Sequence, residues 1–361
     1  MKRTWSDASL LQHSWRIQGR PDADPTISRD KPPTAAALQF IQDYDITPPR
    51  TVQDRHKAVP YVWCSLCQEA THWIGWVAEY EQGGRLERTL VGRNCASRKG
   101  GQVMRLAATA YKANQERSEH LRARQALLEI AGPVSKALHE WGSAPGIDAV
   151  MSWRSSLTKA CGKLSKELAD AASHSPPTLL VQVETRDHAA EESRARRKGS
   201  DTSPIYRSDY KVFARIEGAA LYAGADPAVR ISRLAERFDQ AAAALARPSE
   251  GIKTRELGES LAQARNVADS AREIERAFAG YERGLTDQAI DTVLAWFKKL
   301  PSDWETPEAL TRKGRVVIAD RGAWQSPSHH SIPNAVPIVR PEILNGLEAA
   351  LLGRTEPAVA A

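Results

Sequence analysis

The sequence holds little of what marks a secreted, membrane-embedded or fibrous protein. Its 361 residues include four cysteines and three methionines, and aromatic residues make up 6%. Four cysteines cannot build a disulfide scaffold in so long a chain, and three of them fall between 64 and 95. That clustering points to a reducing compartment and a metal site. No apolar run approaches the roughly 20 residues that cross a bilayer, so a transmembrane helix is excluded. Met1-Lys2-Arg3 leads into Thr4-Trp5-Ser6-Asp7 without the apolar core of a secretory leader, and a cytoplasmic location is expected. Charge of one sign is not in large excess: 50 Lys+Arg stand against 44 Asp+Glu, a formal net charge of +6. Where the charge lies therefore matters more than its sum.

Catalytic signatures are missing as well. Gly83-Gly84 reads as a turn, and Gly100-Gly101 lacks the Lys-Ser/Thr of a phosphate loop. There is no Gly-x-Ser-x-Gly elbow and no His-Glu-x-x-His helix. Cys161 lies on an apolar helical face and reads as core rather than nucleophile. His329-His330, after Ser326-Pro327-Ser328, read as an exposed loop pair.

Four regions emerge along the chain. Residues 1–58 are broken by prolines and read as an irregular arm, with one short helix near Ala35–Tyr44 capped by Thr34. Residues 59–100 carry Tyr61-Val62-Trp63-Cys64, Cys67, a strand from His72 to Glu81, the turn Gln82-Gly83-Gly84 and a returning strand Arg85–Val91. Residues 101–175 are helical, Val103, Leu106, Ala110 and Ala113 recurring at helical spacing until Gly132-Pro133 interrupts. Residues 176–361 mix strands near 179–185, 211–218, 315–319 and 335–339, expected in one sheet, with long helices from 227 to 299. Arg194, Arg196, Arg197 and Lys198 read as a solvated loop. In the helix 252–283, Leu257, Leu261, Ala264, Ala268 and Ala271 fall on one seam, which would pair with a protein partner or a second copy.

The strongest chemical signal is Cys64-x2-Cys67, then a hairpin, then Cys95 at a helix start. A zinc ion takes soft thiolate donors in a tetrahedron, and a Cys-x2-Cys turn presents two of them together. The order of knuckle, hairpin and helix resembles treble-clef zinc modules. Val91-Gly92-x-x-Cys95-Ala96 is similar to small zinc modules of bacterial and phage proteins of unassigned function. The resemblance spans 59–100 and implies a zinc ion held by Cys64, Cys67 and Cys95. Arg98 stands where such helices usually supply a second cysteine, so the fourth donor is sought elsewhere: His72 first, His56 second, or water. The fold expected is mainly α with small β elements: an N-terminal treble-clef-like zinc module, a helical middle, and a C-terminal α+β part with a long helical hairpin.

Between 85 and 125 the chain carries Arg85, Arg88, Arg93, Arg98, Lys99, Arg105, Lys112, Arg117, Arg122 and Arg124 against Glu87, Glu116 and Glu119, a net +7. Such clustering suits phosphate backbones. Trp73, Trp76 and Tyr80 on the facing strand are placed to stack bases, or one of them belongs to the core. The leading expectation is a non-enzymatic zinc-containing protein that binds nucleic acid of undetermined type, an accessory of a bacterial or phage nucleoprotein assembly. It contacts phosphates through Arg85, Arg88, Arg93, Arg98, Lys99 and Arg105, with Trp76. A helical interaction scaffold with a structural zinc is the alternative, and a nuclease-like enzyme with dispersed acids the third.

Overall fold

The structure is a computed structural model describing residues 5–33, 38–48, 60–99, 101–198, 203–224, 226–278, 281–300, 309–313, 316–320, 328–331 and 341–352. It is mainly helical with several small sheets. The chain forms two compact units: Met1–Glu129 with Ala243–Ala262 and Ala349–Ala361, and Ile130–Ala242 with Gln263–Glu348. No helix among the described residues is long and apolar enough to cross a membrane.

The first unit is built on a four-stranded sheet. Its strands are β1 (Ile27–Ser28), β2 (Gln39–Asp45), β5 (Ile74–Gln82) and β6 (Arg85–Gly92), in the order β1-β6-β5-β2. A two-stranded pair, β3 (Val62–Cys64) with β4 (Glu69–His72), precedes the central hairpin. Gly83 and Gly84 sit at φ 59° and 77°, the left-handed pair that lets a two-residue turn match the strand twist. Ile41, Tyr44, Val62, Val77 and Leu90 form the core of this unit, with Trp5, Ile17, Ile27 and Ile46 packed against it.

Residues 39–45 are a strand, not the helix expected near Ala35–Tyr44. Phe40, Ile41 and Tyr44 suit a pleated surface, and pairing with β5 decides the matter over local helix preference. The proposed cap Thr34 and residues 35–37 lie outside the described residues. The arm also carries α1 (Asp7–Gln12), capped by Ser6, whose hydroxyl accepts from the Ser9 N–H.

After β6 come α2 (Arg93–Lys99) and α3 (Gly101–Gly142). The second helix runs through Pro133, where an interruption was expected. Val134 and Leu138 are buried beyond the proline, so packing of that face outweighs the one lost backbone hydrogen bond. At its start the helix presents a different face from the one the spacing suggested. Met104, Ala107 and Tyr111 are buried, whereas Val103 and Leu106 are 54% and 62% exposed.

Within the first unit Arg117 of α3 is fully committed. Its guanidinium grips Asp7 through Nε and Nη2 at 2.6 and 2.8 Å and donates to the carbonyls of Ser249 and Ile252. This hydrogen-bonded pairing holds the Asp7 carboxyl below its ordinary value of 3.8. A lowered folded-state pKa contributes stability that is present above the ordinary value and is lost as pH falls through the lowered one. Urea unfolding across that acid range is expected to show the loss in the parent. Arg117→Ala is expected to remove that component and to cost about 2–4 kcal/mol at neutral pH, since it strands a half-buried carboxylate and two carbonyls. Equal stability of the two proteins at neutral pH would contradict this.

In the second unit α4 (Pro145–Ala160) and α5 (Gly162–Ser173) bury Trp153, Leu157, Cys161, Leu164 and Leu168. β7 (Thr178–Arg186) pairs antiparallel with β8 (Tyr206–Arg215), and between them lies α6 (His188–Lys198). The Arg194–Lys198 run is therefore helical, not a loop; Asp187 caps it by accepting from the Ala190 N–H. α7 (Pro227–Ala246) and α8 (Thr254–Phe278) follow; Gln263 Nε2 donates to the Arg237 carbonyl, and Arg230 faces Glu273. α9 (Asp287–Phe297), β9 (Ala309–Lys313), β10 (Val316–Asp320), β11 (Ser328–Ser331) and α10 (Pro341–Leu351) complete the described chain. The expected single C-terminal sheet is instead two: β7–β8, and β11-β10-β9. His329 and His330 belong to β11, paired with Ile318 and Val317, rather than to a loop. The strand expected at 335–339 lies outside the described residues.

The seam of α8 is closed within the chain. Leu257, Leu261, Ala264, Ala268 and Ala271 are all buried. That face is covered in the single chain.

Candidate metal centre

Three short-range features bring the cysteines together. Cys64 ends β3 and is fully buried. The chain then turns back through Ser65-Leu66-Cys67, the Gln68 N–H donating to the Cys64 carbonyl at 2.8 Å and Gln68 standing at φ 60°. Ser65 pins this turn to β6, its N–H and hydroxyl both donating to the Leu90 carbonyl, at 3.0 and 2.9 Å. β6 delivers the chain to α2, whose first turn carries Cys95. The Sγ atoms of Cys64, Cys67 and Cys95 all lie within 4.8 Å of one another. None of the three is joined in a disulfide. A tetrahedral metal with metal–sulfur bonds near 2.3 Å separates its sulfurs by about 3.8 Å, so the spacing of the trio is compatible with a metal ion.

The three sulfurs crowd one another. The Gly92 N–H donates to Cys64 Sγ at 3.5 Å, a contact that favours a thiolate. Burial, together with the neighbouring Cys67 and Cys64 sulfurs, pushes the Cys95 thiol up to about 12. Crowded thiols resist ionising together, and a divalent cation reverses that balance by compensating their charge.

His72, the first choice for a fourth donor, is not brought into the cluster. Its ring turns to Tyr44, the hydroxyl lying 2.5 Å from Nε2, and its Nδ1 is buried without a partner. Burial holds its pKa down at about 4, so the ring is neutral. Two glycines make room for this pair. A Cβ on Gly75 would come within 2.5 Å of the Tyr44 hydroxyl, and one on Gly92 within 2.8 Å of the His72 ring. Gly75 and Gly92 face each other across β5 and β6. Gly75, a glycine within β5, is the signal that would have marked this close approach in the sequence. His56 lies outside the described residues. Among the described residues no other His, Cys, Asp or Glu joins the three sulfurs.

The basic and aromatic residues separate into structural and free groups. Trp76 is not an exposed stacking residue: it is buried, parallel to Phe40 with centroids 4.7 Å apart and an 8° tilt. Tyr80 is buried too, and Trp73 stacks on Tyr61 at 4.6 Å. β5 is covered on both faces from Gly75 to Tyr80, which explains why strand parity failed to sort its aromatics. Arg88 serves the buried carboxylate of Glu79, its cross-strand partner, at 3.1 Å. Arg117 is held as described above. Arg122 donates to the Leu11 and His13 carbonyls, and Arg124 to those of Leu245 and Arg247. Such contacts between distant parts of the chain leave no local trace in the sequence.

What remains exposed is Arg85, Arg93, Arg98, Arg105 and Lys112. The Arg93 guanidinium lies 5.5 Å over the Trp76 ring. Lys99 follows Arg98 in α2. From 88 to 115 the chain has six Lys/Arg and neither Asp nor Glu. Comparison with protein-family models, curated proteins and solved structures finds no match.

Proposed function

We propose that Cys64, Cys67 and Cys95 bind a zinc ion in a treble-clef-like arrangement, and that the metal fixes a basic surface for the phosphate backbone of a nucleic acid. The observation that carries this reading is the coincidence of the three sulfurs with the acid-free stretch 88–115, whose exposed Arg93, Arg98 and Arg105 flank Cys95. An ion at the trio ties the end of β3, the knuckle and α2 into one body, so the charges on α2 and the start of α3 are held in place. Preorganised cations lose little freedom when they meet phosphates, and each contact releases a condensed counterion.

A shift assay over a salt series tests the function. Affinity is expected to fall with a log–log slope of about −0.9 per duplex phosphate contact, or about −0.7 for a single strand. Arg93→Ala, Arg98→Ala and Lys99→Ala together are expected to weaken binding to all sequences alike and to flatten the slope by up to about three contacts. Replacing Arg194, Arg196 and Arg197 on α6 removes equal charge elsewhere and serves as the control. Equal losses would mean diffuse attraction; no loss in either would refute nucleic-acid binding. The exposed Val103 and Leu106 beside Arg105 favour a second reading, a protein partner on the same surface, and this takes over in that case.

A further inference from the structure

A cavity of about 270 Å³ in the second unit combines an apolar floor with two uncommitted guanidinium groups. Leu179, Tyr222 and Val293 lie in its floor and are buried. Arg215, at the end of β8, and Arg283, in the turn before α9, stand at its exposed rim with Glu217. Neither guanidinium has a carboxylate partner among the described residues, unlike Arg186, Arg207 and Arg272, which pair with Glu191, Asp209 and Glu275.

The rim is built rather than incidental. Gly284 presses the turn carrying Arg283 against the turn after Arg215, so closely that a Cβ there would lie 2.6 Å from the Glu217 carbonyl. The Tyr222 hydroxyl donates to the Gly284 carbonyl at 3.2 Å, and the Ile216 N–H donates to the Pro177 carbonyl. Both arginine-bearing segments are thereby fixed from behind, and two planar forks share the mouth of a small, half-apolar cavity. Two cations against the single carboxylate of Glu217 leave the rim net positive, which suits an anion that can accept several hydrogen bonds at once. Glu217 at the same rim has the carboxylate oxygens to accept from hydroxyl groups of a ligand. Thr286 adds no donor of its own here, since its hydroxyl donates to the Arg283 carbonyl at 2.9 Å while accepting from the Ala289 N–H, but the first-turn N–H groups of that helix lack carbonyl partners within it.

We infer that this cavity binds a small phosphomonoester with a hydroxyl-bearing body, of the sugar-phosphate or nucleoside-monophosphate class. The phosphate sits between Arg215 and Arg283, the hydroxyls meet Glu217, and the body covers Leu179 and Val293. The volume suits one sugar ring with its phosphate better than a dinucleotide. The site is independent of the zinc reading, since all of its residues lie outside the segment 59–125.

Calorimetric titration of the full chain tests it, with ribose 5-phosphate and a nucleoside 5′-monophosphate as probes and the unphosphorylated nucleoside as control. Binding in the micromolar to millimolar range is expected for both phosphates and none for the nucleoside. Arg215→Ala and Arg283→Ala are each expected to weaken binding by about tenfold or more, because each removes charge-assisted hydrogen bonds. Arg207→Ala, which removes an exposed charge from β8 away from the cavity, is expected to change nothing. Arg283→Lys keeps the charge but not the fork, and an intermediate loss is expected. A 5′-phosphorylated oligonucleotide is compared with its 5′-hydroxyl form, so that a strand end is told apart from a free metabolite; preference for the phosphorylated strand supports the same phosphate site. Absence of binding by any phosphate at millimolar concentration overturns the proposal, and so does unchanged affinity in both alanine variants.

Discussion

Cys64→Ser is expected to abolish metal binding and to unfold the segment that carries β3, β4 and α2. Purified parent protein should contain about one zinc per chain, and the variant close to none. Cys64 is the sharpest position because it is fully buried and its sulfur already accepts the Gly92 N–H. Serine there is a poor zinc ligand and leaves the Cys67 and Cys95 donors too few to hold the ion. The strands β3 and β4 are three and four residues long, too short to persist unaided. Structural zinc contributes about 10–16 kcal/mol in comparable small modules at neutral pH, so loss of the ion is a loss of the module's fold. The near-ultraviolet signal of Trp63, Trp73 and Trp76 should collapse with it, and a strong chelator should do the same to the parent. Cys161→Ser separates the metal from mere loss of a thiol. Cys161 is just as buried, but it lies in the helical second unit. Its replacement should lower stability and keep the zinc. A Cys64→Ser protein with full metal content would end the zinc assignment.

The parts of this site that the sequence displays are those set by local spacing. A Cys-x2-Cys turn closes on itself through four residues, and Gly83-Gly84 supplies the two positive φ angles of the hairpin. Nothing distant is needed to read them. The rest depends on contacts across the chain. Strand β2 looks helical by its alanine-rich approach and becomes a strand because β5 pairs with it. Trp76 looks like a stacking platform, yet Phe40, 36 positions earlier, covers it. Arg117, Arg122 and Arg124 swell the basic count of the segment, yet Arg117 grips Asp7 and all three donate to carbonyls. An arginine's partner is a matter of tertiary geometry, so a count of basic residues overstates the free charge. The Tyr44–His72 pair illustrates the converse. Gly75 of its cradle falls inside an expected strand, but Gly92 falls just past the end of the other, and which rings fill the space is not written in the sequence.

Helix α8 shows where periodicity alone succeeds, and it carries the second large effect. Ala268→Glu is expected to destabilise the protein by about 4 kcal/mol or more. Ala268 is 1% exposed, and Ala264, Ala271 and Ile274 around it on the helix are equally enclosed. A glutamate there must either displace close-packed neighbours or bury a carboxylate, and both are costly. The sign of the pH dependence distinguishes burial from simple crowding. A buried carboxylate has its pKa raised above the ordinary value, so the folded state is penalised at neutral pH and the penalty shrinks as pH falls through the raised value. Crowding alone would be independent of pH. Asn266→Glu, two positions away on the exposed side of α8, should stay within about 0.5 kcal/mol of the parent. Denaturant unfolding of both variants near pH 5 and near pH 8 reads all of this. An Ala268→Glu variant with an unchanged midpoint would show that the seam is open to water. One that loses stability only on dilution would show that a second copy, not the chain itself, closes it.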